Sequence, residues 1–242
     1  MAKRGKKKSM KRIAAPKAVP VYDKKTRKWI VKACPGPHGK NSAVPLEILL
    51  KDVLKVCQTH KEVKIVLSKR LIKVDGRIRA EPKFPVGLMD VLTIASKPGE
   101  SDKNYRILLD KKGRLIPTEI QDDRSKEKTA KIVNKHRAHG GKIVITLHDG
   151  RNMVADNHLK VGDSVAMKIP EGKMEKHLKL QKGARCLIQN GKHVGTIATL
   201  EEIIPRAAGK PYEARVKSGK EEFITVAKYL FVVDEGFNGV ER

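Results

Sequence analysis

Apolar residues recur with two periods along the chain. Leu46, Leu49, Leu50, Val53, Leu54 and Cys57 fall on one face of a helix, and Pro45 suits its first turn. Thr59-His60-Lys61-Glu62 has the form of a capping box. Val63, Val66 and Leu67 behind it predict a second helix, ended by Lys69 and Arg70 where cations complement the dipole. Lys61 and Lys64 are three apart and lie near each other on that helix. The period then changes to two. Ile72 and Val74 alternate with Lys73, and Asp75-Gly76 is a two-residue turn of the kind that needs positive φ. Arg77 and Arg79 flank Ile78, which predicts a hairpin with one apolar and one cationic face. Phe84-Pro85-Val86-Gly87-Leu88-Met89-Asp90-Val91 reads as a turn leading into a strand over Asp90–Ala95.

Beyond the linker Lys97-Pro98-Gly99-Glu100, strand and turn signals dominate. Tyr105–Leu109 and Arg114–Glu119 flank the loop Asp110-Lys111-Lys112-Gly113. Lys131–Lys135, Lys142–Leu147 and Ser164–Ile169 follow as strands, with turns at Asp149-Gly150 and Val161-Gly162-Asp163. Ala184–Gln189 alternates into Asn190-Gly191, a strong short hairpin signal, and Lys192–Ile197 is expected to return as its partner. Gly195 is expected where the backbone needs a residue without Cβ. Glu213–Lys217 and Glu222–Val226 form a further hairpin around Ser218-Gly219, and Tyr229–Val233 is a last apolar strand.

Charge changes the picture. Fifty-three Lys and Arg stand against 27 Asp and Glu in 242 residues, a formal net charge of +26. Such self-repulsion points to a polyanionic partner, with nucleic acid ahead of a membrane surface because no long apolar run is present. Aromatics make up 4%, which argues against stacking on many unpaired bases and favours backbone and shape recognition of folded RNA. The tail over residues 1–12 carries Lys3, Arg4, Lys6, Lys7, Lys8, Lys11 and Arg12 without periodicity. It reads as an arm that neutralises phosphates. The charged N-terminus lacks a following apolar segment, so no secretory signal is expected.

Candidate chemistry is sparse. Cys34, Cys57 and Cys186 are odd in number and far apart, which fits a reducing cytosolic compartment. Cys57 and Cys186 read as small core residues. Cys34-Pro35-Gly36-Pro37-His38 holds two ligand types without a second pair, so a rigid turn is the better reading than a metal site. His136, His139 and His148 have no nucleophile or HExxH pattern beside them and read as loop histidines.

The helix–helix–hairpin order resembles the α-L RNA-binding motif. Val74-Asp75-Gly76-Arg77-Ile78-Arg79 together with Phe84–Val91 resembles a narrower family, the archaeal and eukaryotic type of small-subunit ribosomal protein four. Arg12-Ile13-Ala14-Ala15-Pro16, Pro35-Gly36-Pro37-His38 and Val44-Pro45-Leu46 look like that family's N-terminal extension. Gly183, Gly191 and Gly195 are spaced like a KOW motif. The length resembles archaeal members rather than the longer eukaryotic ones.

The resemblance implies an α+β multidomain chain. Residues 1–42 are a basic tail and proline-rich extension, 43–96 an α-L RNA-binding domain, 97–174 a mostly antiparallel central β domain, and 175–242 a small KOW-type β-barrel with a C-terminal tail. It implies a ribosome-bound, cytoplasmic structural protein of the small subunit. Its partners are small-subunit rRNA and neighbouring ribosomal proteins, with no cofactor, metal, membrane or small-molecule substrate. Lys61, Lys64, Lys69, Arg70, Lys73, Arg77 and Arg79 carry over as RNA contacts, and Lys192 and His193 at the KOW turn as weaker ones. Lys51 departs from the Arg expected in the first helix, and a point charge cannot replace a bidentate fork. Two other readings share these features. A free-standing RNA-binding or transcription-associated factor is one. A pseudouridine synthase is the other, but Gly113-Arg114-Leu115-Ile116 has Ile where that family's catalytic Asp stands.

Overall fold

Alternating patterns dominate the sequence, and strands dominate the fold. The computed structural model describes residues 9–21, 28–96, 101–206, 209–219, 221–234, 236–237 and 239. Lys3, Arg4, Lys6, Lys7, Lys8 and the expected linker at 97–100 lie outside the described residues. The chain divides into two compact units, Met1–Ile107 with Arg114–Gln121, and Leu108–Gly113 with Asp122–Arg242. No helix among the described residues is long and apolar enough to cross a membrane.

The first unit holds three antiparallel sheets. β1 (Ser9–Lys11) pairs with β2 (Trp29–Val31). β3 (Ala43–Pro45) pairs with β6 (Pro85–Gly87). A five-stranded sheet has the order β5 (Arg77–Ile78), β4 (Ile72–Val74), β7 (Val91–Ile94), β8 (Lys103–Leu109), β9 (Leu115–Ile120). Neither β3 nor β6 is legible from alternation, because each is three residues long and buried throughout. Pro45 therefore ends a strand and caps the helix that follows, α1 (Leu46–Ile48).

The expected single helix to Cys57 does not form. After α1 the chain widens into π-helical turns over Leu49–Val53. The Leu54 N–H donates to the Leu49 carbonyl at 2.9 Å and the Val56 N–H to that of Leu50 at 2.9 Å. Lys55 then takes the left-handed conformation, φ 55. The widening leaves the adjacent Leu49 and Leu50 both fully buried and lets Cys57 return to the core after the helix has ended. Burial raises the Cys57 thiol above its ordinary range, and the nearby Glu62 carboxylate raises it further.

Two sequence strings dock on each other in this unit. His38 Nε2 lies 2.9 Å and 3.0 Å from the two carboxylate oxygens of Asp90, and both residues are buried. Asp90 also accepts the Gly87 N–H at 2.9 Å. A Cβ on Gly87 would stand 2.4 Å from the His38 ring, and one on Gly36 2.6 Å from Pro85. Cys34 donates its thiol to the Lys83 carbonyl at 3.1 Å. Cys34 and His38 thus serve the same turn through different partners. No cluster of metal-ligating side chains occurs among the described residues.

The second unit holds two five-stranded antiparallel sheets. One has the order β12 (Asn152–Val154), β11 (Ile143–Leu147), β10 (Glu127–Arg137), β13 (Ser164–Lys168), β14 (Lys173–Leu178). The other has the order β18 (Glu221–Val226), β17 (Glu213–Ser218), β16 (Ile197–Ile204), β15 (Arg185–Ile188), β19 (Leu230–Val232). The short helices α2 (His60–Ser68) in the first unit and α3 (Asp122–Ser125) in this one complete the α-helical content among the described residues. Strand pairing crosses two positions where the sequence suggested boundaries. Val91 pairs with Arg106 and Ile94 with Lys103 across 96/97, and β14 joins the sheet of β10 across 174/175. Alternation marks a strand but says nothing of which sheet it enters.

Asn190-Gly191 is not the two-residue turn expected. The Ile188 N–H donates to Thr196 O at 3.0 Å and the Gly195 N–H to Ile188 O at 2.8 Å, so a longer loop separates β15 from β16. The Gln189 N–H is taken by Tyr229 O at 2.9 Å, and Gly191 takes φ 101. Gly195 stands as expected, at φ 80 and with a Cβ position 2.6 Å from the Asp110 carbonyl oxygen.

Two lysines are buried between strands. Lys128 lies 3.1 Å from Asp149, which also meets Arg151 at 3.3 Å. Burial alone would raise the Asp149 carboxyl, but Lys128, His148 and two hydrogen bonds outweigh it and hold it below the usual range. Lys131 Nζ donates to the carbonyls of Lys228 and Leu230, each at 2.6 Å, joining β10 to the approach and first residue of β19. Burial pushes this ammonium down to about 8 and the neighbouring Cys186 thiol up to about 12.

Between about pH 8 and 10.5, Lys131 is neutral in the fold and protonated in the unfolded chain. Unfolding takes up a proton there, so stability rises with pH across that window and the lysine's contribution is least favourable below it. Urea titrations of wild type and Lys131→Met will differ by that rise, and parallel curves would refute it. Asp90→Ala removes the buried carboxylate that faces the His38 imidazole and accepts the Gly87 N–H. It will cost about 3 kcal/mol of stability in urea unfolding.

Candidate nucleic-acid interface

Local signals position most of the expected cations. Thr59 Oγ1 accepts the Glu62 N–H at 3.2 Å, and the Glu62 carboxylate accepts the N–H groups of Gln58 at 2.7 Å and Thr59 at 3.5 Å. These bonds close the capping box and start α2 where the sequence predicts. The Gln58 N–H, then the Thr59 hydroxyl, hold the exposed Glu62 carboxyl below its ordinary range. Val63 and Leu67 point into the core, so Lys61 and Lys64 stand exposed.

The far end of α2 is a Schellman-type stop. The Arg70 N–H donates to Leu67 O at 3.0 Å and the Leu71 N–H to Val66 O at 3.4 Å. Arg70 therefore occupies the left-handed position, φ 59, that glycine fills without cost. The exposed Lys69 caps the helix beside it.

Asp75 at φ 51 and Gly76 at φ 71 make the expected tight turn. Asp75 does more than turn. Its N–H donates to Val91 O at 2.8 Å and its carboxylate accepts the Val91 N–H at 3.0 Å, which ties the turn to β7. The turn sets the register Lys73 opposite Ile78 and Val74 opposite Arg77. The expected segregation of the hairpin into one apolar and one cationic face is therefore absent. Lys73 shares its face with Ile78, which is 48% exposed, and Arg77 shares the other with buried Val74. A two-residue loop places residues equidistant from the turn on one face, and here those pairs are mixed. Arg79 lies 4.3 Å over the Phe84 ring, with its Nε buried and without a hydrogen-bond partner.

The structure thus brings Lys69, Arg70, Lys73, Arg77 and Arg79 onto the end of α2 and the β4–β5 hairpin that follows, with Lys61 and Lys64 along the helix. Among the described residues none of Lys61, Lys64, Lys69, Arg70, Lys73 and Arg77 forms an ion pair. Lys51 behaves differently. It lies 3.9 Å from Glu47 and 3.8 Å from Asp52, with its side chain largely buried.

Elsewhere the candidates scatter. Lys11 is exposed on β1 opposite Trp29, which is 54% exposed, while Arg12 is half-buried. Trp29 was not singled out from the sequence, although it is the single Trp and follows Lys28. In the β15–β16 loop Lys192 is exposed, whereas the His193 ring stacks on Phe223 at 3.9 Å with an interplanar angle of 14°.

Arg70→Gly removes the strained left-handed arginine and will raise thermal stability of the free protein by up to about 1 kcal/mol. Unchanged or lower stability would mean that the Arg70 side chain has a structural role.

Comparison with known proteins gives the context. Residues 101–174 match the model of ribosomal family S4e, and residues 4–41 match the RS4NT (NUC023) domain. The small ribosomal subunit protein eS4 of Methanosphaera stadtmanae is 37% identical over 235 residues, 97% of this chain and 95% of the relative. That of Archaeoglobus fulgidus is 40% identical over 223 residues, 92% of each chain. The crystal structure of the 30S ribosomal protein S4e from Thermoplasma acidophilum superposes with a TM-score of 0.69 at 30% identity, covering 81% of this chain and 97% of that one. The sequence matches, which run over nearly the whole length, and the superposition agree: the chain belongs to the ribosomal S4e family.

Proposed function

We propose that this protein is a structural constituent of the small ribosomal subunit that binds its rRNA through phosphate and shape contacts. The observation that carries the reading is the set of cations without ion-pair partners, most of them exposed, gathered around the C-terminus of α2 and the β4–β5 hairpin. A cluster of this kind is costly in an isolated chain of +26 and is relieved by a polyanion. Lys61, Lys64, Lys69, Arg70, Lys73 and Arg77 supply the phosphate contacts. Arg79, held on Phe84, offers its remaining N–H groups along one edge. Phosphate contacts of this type position the RNA and read the shape of a folded duplex rather than base sequence.

The α2–hairpin segment then acts as an α-L unit, and the sheet of β15 to β19 as a KOW-type barrel whose β15–β16 loop offers Lys192. His193 serves that loop by its stacking on Phe223 and contributes through shape. The expected arm over residues 1–12 is shorter at its inner end, because Ser9–Lys11 form β1 with Met10 buried; Lys3, Arg4, Lys6, Lys7 and Lys8, with Lys11 exposed on β1, add phosphate neutralisation. Neighbouring ribosomal proteins cover part of the remaining surface, and the protein works ribosome-bound in the cytoplasm. The role is structural, not catalytic.

Sedimentation of native lysate tests the reading. The chain will migrate with small subunits and stay there through a moderate salt wash. Migration only in light fractions would leave a free RNA-binding factor as the better account. In vitro, Lys69→Ala/Arg70→Gly/Arg77→Ala will weaken rRNA binding. It will also lower the slope of log K against log salt by about 1 for each phosphate no longer neutralised. An unchanged slope would remove this surface from the interface.

A further inference from the structure

Carboxylates are unevenly spread in this chain. Between Glu127 and Asp149 the sequence runs for 21 residues without one, and it carries Lys128, Lys131, Lys135, Arg137 and Lys142 there. The fold uses the first three internally. Lys128 meets Asp149 and Lys131 meets two carbonyls, while Lys135 Nζ donates to Asn157 O at 2.6 Å and Leu159 O at 2.9 Å. Arg137 and Lys142 remain, with His136 and His139. All four are exposed, and among the described residues none has a side-chain partner.

These residues occupy the end of one hairpin. β10 pairs with β13 only from Glu127 to Lys131, and with β11 from Ile132 to Arg137. A register shift between Ile132 and Asn134 bulges the strand at Val133 where it leaves β13. β12 supports β11 only through Val144, after which Ala155 N–H reaches Ile143 O at 3.0 Å. Past Ile143 the ribbon is two-stranded, closed by the Ala138 N–H on Lys142 O at 2.8 Å. The register places His136 and Lys142 on one face and Arg137 on the other. Gly140 and Gly141 at the tip take φ 78 and φ 72, and neither Cβ position has an atom within 4 Å. Glycine is needed there by the backbone and not by packing.

We propose that this hairpin tip is a further RNA-backbone contact, inserted with phosphates on both of its faces. It rests on the RNA-binding reading and adds a surface in the second unit that the resemblance did not supply. A tip with cations on both faces, an open glycine apex and no carboxylate fits the space between two phosphate strands. The exposed valines Val133 and Val154 lie toward its base, so the tip itself presents no apolar anchor for a protein partner.

The test uses the full chain and purified small-subunit rRNA across a salt series. Arg137→Ala/Lys142→Ala is compared with Lys69→Ala/Arg77→Ala, and thermal unfolding checks that both variants fold. The tip variant will lower the log–log salt slope by about 2, one for each cation removed. A wild-type slope in the tip variant beside a reduced slope in the other would overturn this inference and leave the RNA reading standing. A wild-type protein with no salt-dependent rRNA binding would sink both. Normal rRNA binding by a tip variant that no longer enters small subunits would assign the tip to a protein neighbour and overturn the inference equally.

Discussion

The first unit depends on a buried imidazole set against a buried carboxylate. His38 and Asp90 come from segments 52 residues apart, and Asp90 also holds the Gly87 N–H. The pair fixes the proline-rich extension onto the strand pair β3–β6. The α1 helix leaves directly from β3, and β7 starts at the residue after Asp90. Removing either His38 or Asp90 takes a hydrogen bond away from a buried polar partner, and such losses are the expensive half of the asymmetry in buried hydrogen bonds. The packing is equally restrictive, since Gly87 has no room for a methyl group beside the His38 ring.

What the sequence made legible was local. A capping box needs four consecutive residues, and Thr59 to Glu62 form one. Asp75-Gly76 needs two, and both take positive φ. What it hid was non-local. β3 and β6 are each too short and too uniformly buried to alternate, and Val44 finds its partner Val86 far along the chain. The π-helical turns after α1 answer to the burial of adjacent leucines, which a one-face pattern does not encode. Asn190-Gly191 failed as a turn because the Gln189 N–H is bound to Tyr229, at the approach to a distant strand. For the interface, residue types and positions were readable. Their facing was not, because register decides whether Lys73 sits opposite Ile78 or an arginine. The hairpin tip at Arg137 and Lys142 was readable only as an absence of carboxylates.

Formal charge overstates what faces outward. Lys128, Lys131, Lys135 and Lys51 are engaged by carboxylates or carbonyls within the fold. Their engagement leaves fewer outward-facing cations than the total suggests, among them those at the end of α2, on the β4–β5 hairpin and at the β10–β11 tip. Specificity for a folded RNA follows more readily from a few fixed cations on rigid strands than from a uniform positive coat.

Asp75 gives the β4–β5 hairpin a mechanical property. A hairpin held only by its own two strands would pivot when pulled. Here the turn residue is pinned by two hydrogen bonds to Val91, which lies in the middle strand of the five-stranded sheet. Force applied at Lys73 or Arg77 is therefore passed to the whole sheet as a rigid lever, and a partner gripping the hairpin grips the unit.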